Sequence, residues 1–257
     1  MAVWVRFANG NGEQFGTLAG ETITVHTGDM FANPMATGEH VNAADVRLLM
    51  PCTPSKMICL WNNFHALAAK LGVTEPAEPL YLLKAPSSFM GPNEAIRRPA
   101  SYDGKIVYEG ELGIVIGKRC ANASEADAAS AIFGYTCIND VTAADIIQKD
   151  PTFPQWARAK SFDTFGIFGP AIATGLDPAS LTVRTVLNGA ERQNYAIADM
   201  IFAAPKLIAA LSRDMTLMPG DVIACGTSVG VGVMKDAENV VEVTIDGIGT
   251  LRNTLKQ

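Results

Sequence analysis

Apolar and polar positions along this chain alternate mostly with a period of two, in short runs broken by Gly, Pro and Asn, the pattern of strands joined by tight turns. Residues 3–7 and 21–26 are such runs, and Asn9-Gly10-Asn11-Gly12 between them is a turn signal. Residues 47–50 lead into Pro51-Cys52-Thr53-Pro54, which marks a boundary between a small N-terminal β domain, 1–53, and a main domain, 54–257. In the main domain, 56–60, 80–84, 132–138, 171–174, 182–187, 222–225 and 240–245 read as strands. Helical signals are fewer. Residues 64–71 end at Gly72, and 121–131 carry Asn122 or Ser124 as N-cap. Residues 204–212 have Pro205 in the first turn and Leu207, Ile208 and Leu211 on one face. Residues 141–148 fit a helix or an irregular turn, and 150–155 a loop. Such an order predicts a β-dominated α+β fold rather than alternating β-α units.

One apolar run stands apart. Residues 105–118 (KIVYEGELGIVIGK) carry two glutamates two positions apart, and on a strand Glu109 and Glu111 point to the same side. Paired carboxylates in apolar sequence repel unless something offsets them, and a hard divalent cation is the simplest offset. Asp140, at the end of the strand-like run before Val141-Thr142, is the best third ligand. Three carboxylates and water suit Mg²⁺ or Mn²⁺ better than Zn²⁺, and the three scattered histidines, His26, His40 and His65, form no zinc pattern. Without a metal, the same pair would be an exposed strand face with two solvated glutamates.

Composition narrows the class. The formal charge of −6 and the absence of a Lys/Arg cluster argue against a nucleic-acid or anionic-membrane surface. The N-terminus has no basic segment followed by an apolar core, and no run of about eighteen apolar residues occurs, so neither a signal peptide nor a membrane span is expected. Five cysteines without CxxC spacing read as buried thiols in a reducing cytoplasm.

From Pro54 to Thr254 the chain resembles the fumarylacetoacetate hydrolase family. The stretches that carry the resemblance include PSKMICLWNNFHALAAKLG, PLYLLKAPSS, YEGELGIVIGK, GYTCINDVTAAD, RAKSFDTFGIFGP, VLNGAERQ, LSRDMTLMPGDVIACGTSVGVG and VTIDGIGTLRN, in collinear order. The resemblance implies a mixed β-roll around a metal site, a homodimer, and Mg²⁺ or Mn²⁺ on Glu109, Glu111 and Asp140. It also implies a small 2-oxo acid substrate whose enolate the metal stabilises. Lys160 matches the family's active-site lysine, which neutralises negative charge on the substrate. Thr227, with the backbone of Gly226, matches a substrate-binding position, and Lys84 a lysine near the substrate entrance.

Departures from the family pattern cluster around the chemistry. The His and Glu that activate water in hydrolytic members fall at Leu67 and Lys70, leaving His65 as the candidate base. The arginine and glutamine that recognise the distal part of the substrate fall at Ala144 and Ile147. This points to a smaller or more apolar distal group, with Phe153 and Trp156 as lining candidates. Hydrolysis of a C–C bond in an acylpyruvate leads as the implied reaction. Decarboxylation or keto–enol isomerisation of a 2-oxo dicarboxylic acid is the alternative, and a non-catalytic metal-stabilised binding protein is the reading from another class.

Overall fold

The structure, a computed structural model, describes residues 1–10 and 12–256. Among these residues strands predominate over helices and pair into three sheets. The main path of the largest runs Ala32–Asn42, Thr22–Asp29, Gly12–Ala19, Ala2–Asn9, Gly166–Thr174, Ile132–Asp140, Gly110–Ile116, Val222–Ala224, Met57–Trp61 and Leu80–Lys84. A second joins Ala190–Ala196, Thr182–Leu187, Glu238–Ile245, Gly249–Lys256 and Ala95–Ile96. A small third places Ile106–Tyr108 between Thr142–Ala143 and Gly232–Val233. The fold is thus α+β and β-dominated, as the patterning predicts.

Gly110–Ile116 is buried along its whole length, which explains why it reads as a nearly continuous apolar run. Leu112, Ile114 and Ile116 share a core with Val183, Val241, Val243 and Leu251 of the second sheet. Val115 packs on the other side with Ile138, Phe168 and Met57. Each such side chain contributes about 1.5–3 kcal/mol on full burial. The sheets are in close contact at Gly110, where an added Cβ would lie 2.0 Å from Thr185 Oγ1. A glycine is required between the two glutamates.

The N-terminal strands extend the large sheet, because Ala2–Asn9 pairs antiparallel with Gly166–Thr174 through Ala2↔Thr174, Val3↔Ala173 and Trp4↔Ile172. Four long strands stand where the patterning shows two. Gly12–Ala19 places Gly16 where a side chain would meet the Thr24 carbonyl, so its alternation is interrupted. Ala32–Asn42 is a largely exposed edge strand with no apolar face to reveal it. Asn11, in the expected turn, lies outside the described residues. Among the helices, Ser124 is the N-cap of Glu125–Ala131, its side chain accepting from Asp127 N–H. His65–Leu71 closes on Gly72 in the left-handed region, and Ala204–Asp214 buries Leu207, Ile208 and Leu211. Trp156–Lys160 is a five-residue helix that the sequence pattern does not announce. No helix among the described residues is long and apolar enough to cross a membrane, and all five cysteines are buried and free.

Candidate metal centre

The glutamate pair does not lie inside one strand. The chain leaves the small sheet after Tyr108 and enters the large one at Gly110, so Glu109 sits at the junction between sheets. Its backbone is pinned there: its N–H donates to Asn139 Oδ1 at 3.1 Å, and its carbonyl accepts from Asp140 N–H at 2.9 Å. Because Gly110 pairs with Asn139 and Glu111 with Ile138, the end of Ile132–Asp140 delivers Asp140 beside both glutamates. Ligand oxygens of Glu109, Glu111 and Asp140 lie within 4.8 Å of one another.

Two lysines face this group. Lys160 Nζ donates to Glu109 Oε2 at 2.9 Å and to Asp140 Oδ2 at 2.5 Å. Lys84 Nζ donates to Asp140 Oδ1, and to the Val141 carbonyl at 3.2 Å. Burial is the largest influence on the Lys160 ammonium and lowers its pKa, but Asp140, Glu109 and Glu111 together outweigh it and keep the group charged. Asp140 is the mirror case: burial raises its pKa, yet Lys160 and Lys84 hold it below the ordinary aspartate value. Glu111 fares differently. Burial pushes its carboxyl well above the usual range, and repulsion from Asp140 and Glu109 adds to that beyond what Lys160 offsets.

These residues fit a divalent cation. Glu111 Oε2 accepts from Gly226 N–H at 2.9 Å, whereas Oε1 is buried with no hydrogen-bond partner. A buried carboxylate oxygen left unpaired is costly unless a cation completes it. The donors are all hard oxygens, the set suited to Mg²⁺ or Mn²⁺. With all three carboxylates ionised they exceed the two ammonium groups by one negative charge, which a divalent cation offsets. The thiol nearest in charge influence, Cys59, is pushed up by burial and then by Asp140, so it supplies no thiolate.

A cavity of about 280 Å³ opens on this floor, lined there by Glu109, Thr142, Lys160 and Thr227. Thr142 Oγ1 donates to Glu109 Oε1 at 2.7 Å, fixing the carboxylate. Thr227 borders the cavity, but its hydroxyl already donates to the Gly110 carbonyl at 3.0 Å and accepts from Gln193 Nε2 at 2.8 Å. Gly226 commits its N–H to Glu111, in a left-handed conformation (φ +89°) that favours glycine. Lys84 does not line the cavity. It is almost completely buried behind Asp140, a partner 56 residues away that no local pattern reveals.

Leu67, Ala144, Ile147 and Trp156 do line the cavity, whereas Phe153 is 70% exposed and is not part of the lining. Sequence reasoning also missed Gln193 and Tyr195. Gln193 Oε1 accepts from Gly110 N–H at 3.0 Å, and Tyr195 OH donates to the Gly110 carbonyl at 2.7 Å. Their signal was available: in Ala190–Ala196 both fall on the buried face, so a glutamine occupies an inward strand position.

His65 is the candidate that the fold leaves apart. It opens its short helix with the side chain 51% exposed, hydrogen-bonded through Nδ1 to Glu75 Oε1 at 2.5 Å, and it does not line the cavity. The Glu75 hydrogen bond raises its pKa above the ordinary 6.5, against a smaller lowering by desolvation. A histidine with a raised pKa contributes stability below its unfolded value and loses it as pH rises through the folded one. A proton NMR titration is expected to place the His65 midpoint above 6.5, and Glu75→Gln to bring it down towards that value. A midpoint unmoved by the substitution would exclude the pair in solution.

Comparison with known proteins adds the context. A family model described as fumarylacetoacetate (FAA) hydrolase, C-terminal, matches residues 56–256, and a model described as Rv2993c-like, N-terminal, matches 4–51. Protein Rv2993c of Mycobacterium tuberculosis is 41% identical, over 96% of each chain. Oxaloacetate tautomerase YisK of Bacillus subtilis is 36% identical over 82% of this chain and 74% of its own. Among solved structures, the 2-hydroxyhepta-2,4-diene-1,7-dioate isomerase of Mycobacterium marinum superposes with a TM-score of 0.90 at 39% identity, covering 100% of this chain and 98% of that one.

Proposed function

The chain belongs to the fumarylacetoacetate hydrolase family, an enzyme family, and on that premise we propose that it is a divalent-metal-dependent enzyme interconverting the keto and enol forms of a 2-oxo acid. The observation that carries this reading is the Glu109, Glu111 and Asp140 trio, with Glu111 and Asp140 buried and Glu111 Oε1 unpaired, of which Glu109 reaches the floor of a cavity that also holds Lys160. The names of relatives support the reaction class, one being a tautomerase and another an isomerase.

A divalent cation held by Glu109, Glu111 and Asp140 would supply Lewis acidity, which stabilises negative charge on a 2-oxo acid. The protein's own residues do the rest. Lys160, kept charged by its carboxylate neighbours, presents a fixed ammonium where negative charge develops, with no reorganisation needed at the moment of reaction. Thr142 holds Glu109 in place, and Gly226 holds Glu111. Gln193 and Tyr195 brace Gly110 between them, so the two glutamates keep their spacing. The apolar walls limit water around the enolate.

Hydrolysis of a C–C bond is the second reading. Both reactions move a proton, but tautomerisation only carries one between the carbon beside the 2-oxo group and its oxygen, which a solvent molecule can relay. Hydrolysis needs a fixed base to aim water at a carbonyl. Among the described residues lining the cavity the ionisable side chains are Glu109 and Lys160, with Leu67 where the family's base would stand.

The test follows enol absorbance in the ultraviolet with oxaloacetate and phenylpyruvate, alongside detection of pyruvate and CO₂ from acetylpyruvate and oxaloacetate. The expected result is fast loss of the enol signal with Mg²⁺ or Mn²⁺, abolished by EDTA and restored by the metal. Pyruvate release from acetylpyruvate would establish hydrolysis instead. Full turnover in EDTA would exclude the metal centre.

A further inference from the structure

The cavity has two chemically different halves. Its floor carries Glu109 and Lys160, and its remaining wall is mostly apolar, with Trp61, Trp156, Leu67 and Ile147 leading outward to the partly exposed Leu71 and Val231. The two indoles meet at 5.8 Å between ring centroids and 51° between planes. At that spacing the indoles pack on each other and form one aromatic wall.

Resting on the reading above, in which the floor binds the 2-oxo acid head, we propose that the outer half takes an apolar arm: the substrate is a 2-oxo acid with a single carboxylate and an aromatic or branched aliphatic tail.

Three observations exclude a second carboxylate there. Among the described lining residues no cation other than Lys160 is present, and its ammonium is already shared between Glu109 and Asp140. A carboxylate placed against two tryptophans and branched aliphatics would be desolvated without a partner. The polar lining residue on that side, Asn62, offers the wrong polarity. Its Nδ2 donates to the Thr74 carbonyl at 3.1 Å, which leaves Oδ1 as the buried atom without a partner. That oxygen is an acceptor and the amide N–H is committed to Thr74, so Asn62 offers a carboxylate no donor. The charge balance agrees. Three carboxylates, two lysines and one divalent cation leave a single positive charge, which one substrate carboxylate cancels.

The test is equilibrium binding of inert analogues to the Mg²⁺-loaded protein, read by quenching of indole fluorescence. Oxamate supplies the head alone, N-phenyloxamate the head with an aromatic arm, and N-oxalylglycine the head with a carboxylate arm. N-phenyloxamate is expected to bind about ten-fold or more tightly than N-oxalylglycine. Introducing a cation by Ala144→Arg, or by Val231→Arg at the more exposed rim should the first variant fold poorly, is expected to reverse that order. If N-oxalylglycine binds the unmodified protein as tightly as N-phenyloxamate, or more tightly, the apolar-arm assignment is overturned while the head site stands. If none of the three binds, oxamate included, the proposed function falls and this inference falls with it.

Discussion

Glu111→Gln is expected to lower turnover severely and, in the metal-free protein, to raise the melting temperature. The two effects have opposite signs because they have different origins. In the metal-free fold Glu111 is completely buried, one carboxylate oxygen has no partner, and Asp140 and Glu109 repel the charge. Glutamine keeps the shape and can still accept from Gly226 N–H, while its amide nitrogen donates towards the carboxylates in place of the unpaired oxygen. The sign of the pH dependence follows. A carboxyl whose folded pKa is raised binds its proton more tightly in the native state, so stability falls as pH rises from the ordinary glutamate value of 4.5 towards the folded one. The variant is expected to lose that decline, and each kcal/mol relieved raises the midpoint by about 2–4 °C for a chain of this size. Catalysis goes the other way. Losing one anionic ligand removes charge stabilisation in the transition state, and a fall in kcat/KM of about 10³-fold is expected. Calorimetry with and without EDTA, beside enol-decay kinetics, measures both. A variant less stable than the parent in EDTA would show that Glu111 is not strained by its neighbours.

The sequence reveals the chemistry of this centre better than its architecture. Glu109 and Glu111 are legible because a two-residue spacing in extended chain puts both carboxylates on one side, and that holds even though the chain changes sheets between Tyr108 and Gly110. The change itself is invisible, because buried strands of both sheets read as the same apolar run. Asp140 is legible as the polar end of an apolar strand. Lys84 and Lys160 are visible only as lysines. Their meeting on one aspartate depends on strand pairing across 56 and 20 residues, and Lys160 rides on a helix too short to leave a periodic trace. His65 illustrates the converse. A histidine next to an Asn-aromatic pair suggests catalysis in sequence, but the helix turns it towards Glu75 and turns Leu67 into the cavity. The N-terminal strand pairing was hidden for another reason, since Ala32–Asn42 is an exposed edge without apolar alternation.

Lys160→Met is expected to cost both stability and activity, and the manner of the loss distinguishes its roles. The ammonium is 4% exposed and satisfies two carboxylates at once. Methionine matches the chain length but leaves Asp140 and Glu109 without that cation. Removing one partner from a buried ion pair typically destabilises by about 3–5 kcal/mol. Lys84 on the other Asp140 oxygen and the partial exposure of Glu109 moderate this, so the lower end of that range is expected. A divalent cation is expected to recover much of the loss, since it neutralises the same oxygens. Removing a positive charge in direct contact with two of the three ligands is also expected to tighten Mg²⁺ or Mn²⁺ binding. Turnover is not recovered. The metal restores the fold, but no fixed ammonium remains beside the developing enolate, so a fall of about 10²–10³-fold in kcat persists at saturating metal. Lys160→Arg is expected to rescue stability more than rate, because a planar guanidinium can pair with both carboxylates but cannot place a point charge where the ammonium stood. Metal titration by calorimetry and enol decay at saturating Mg²⁺ separate these effects. Wild-type kcat in Lys160→Met once metal is saturating would reduce Lys160 to a structural counter-ion.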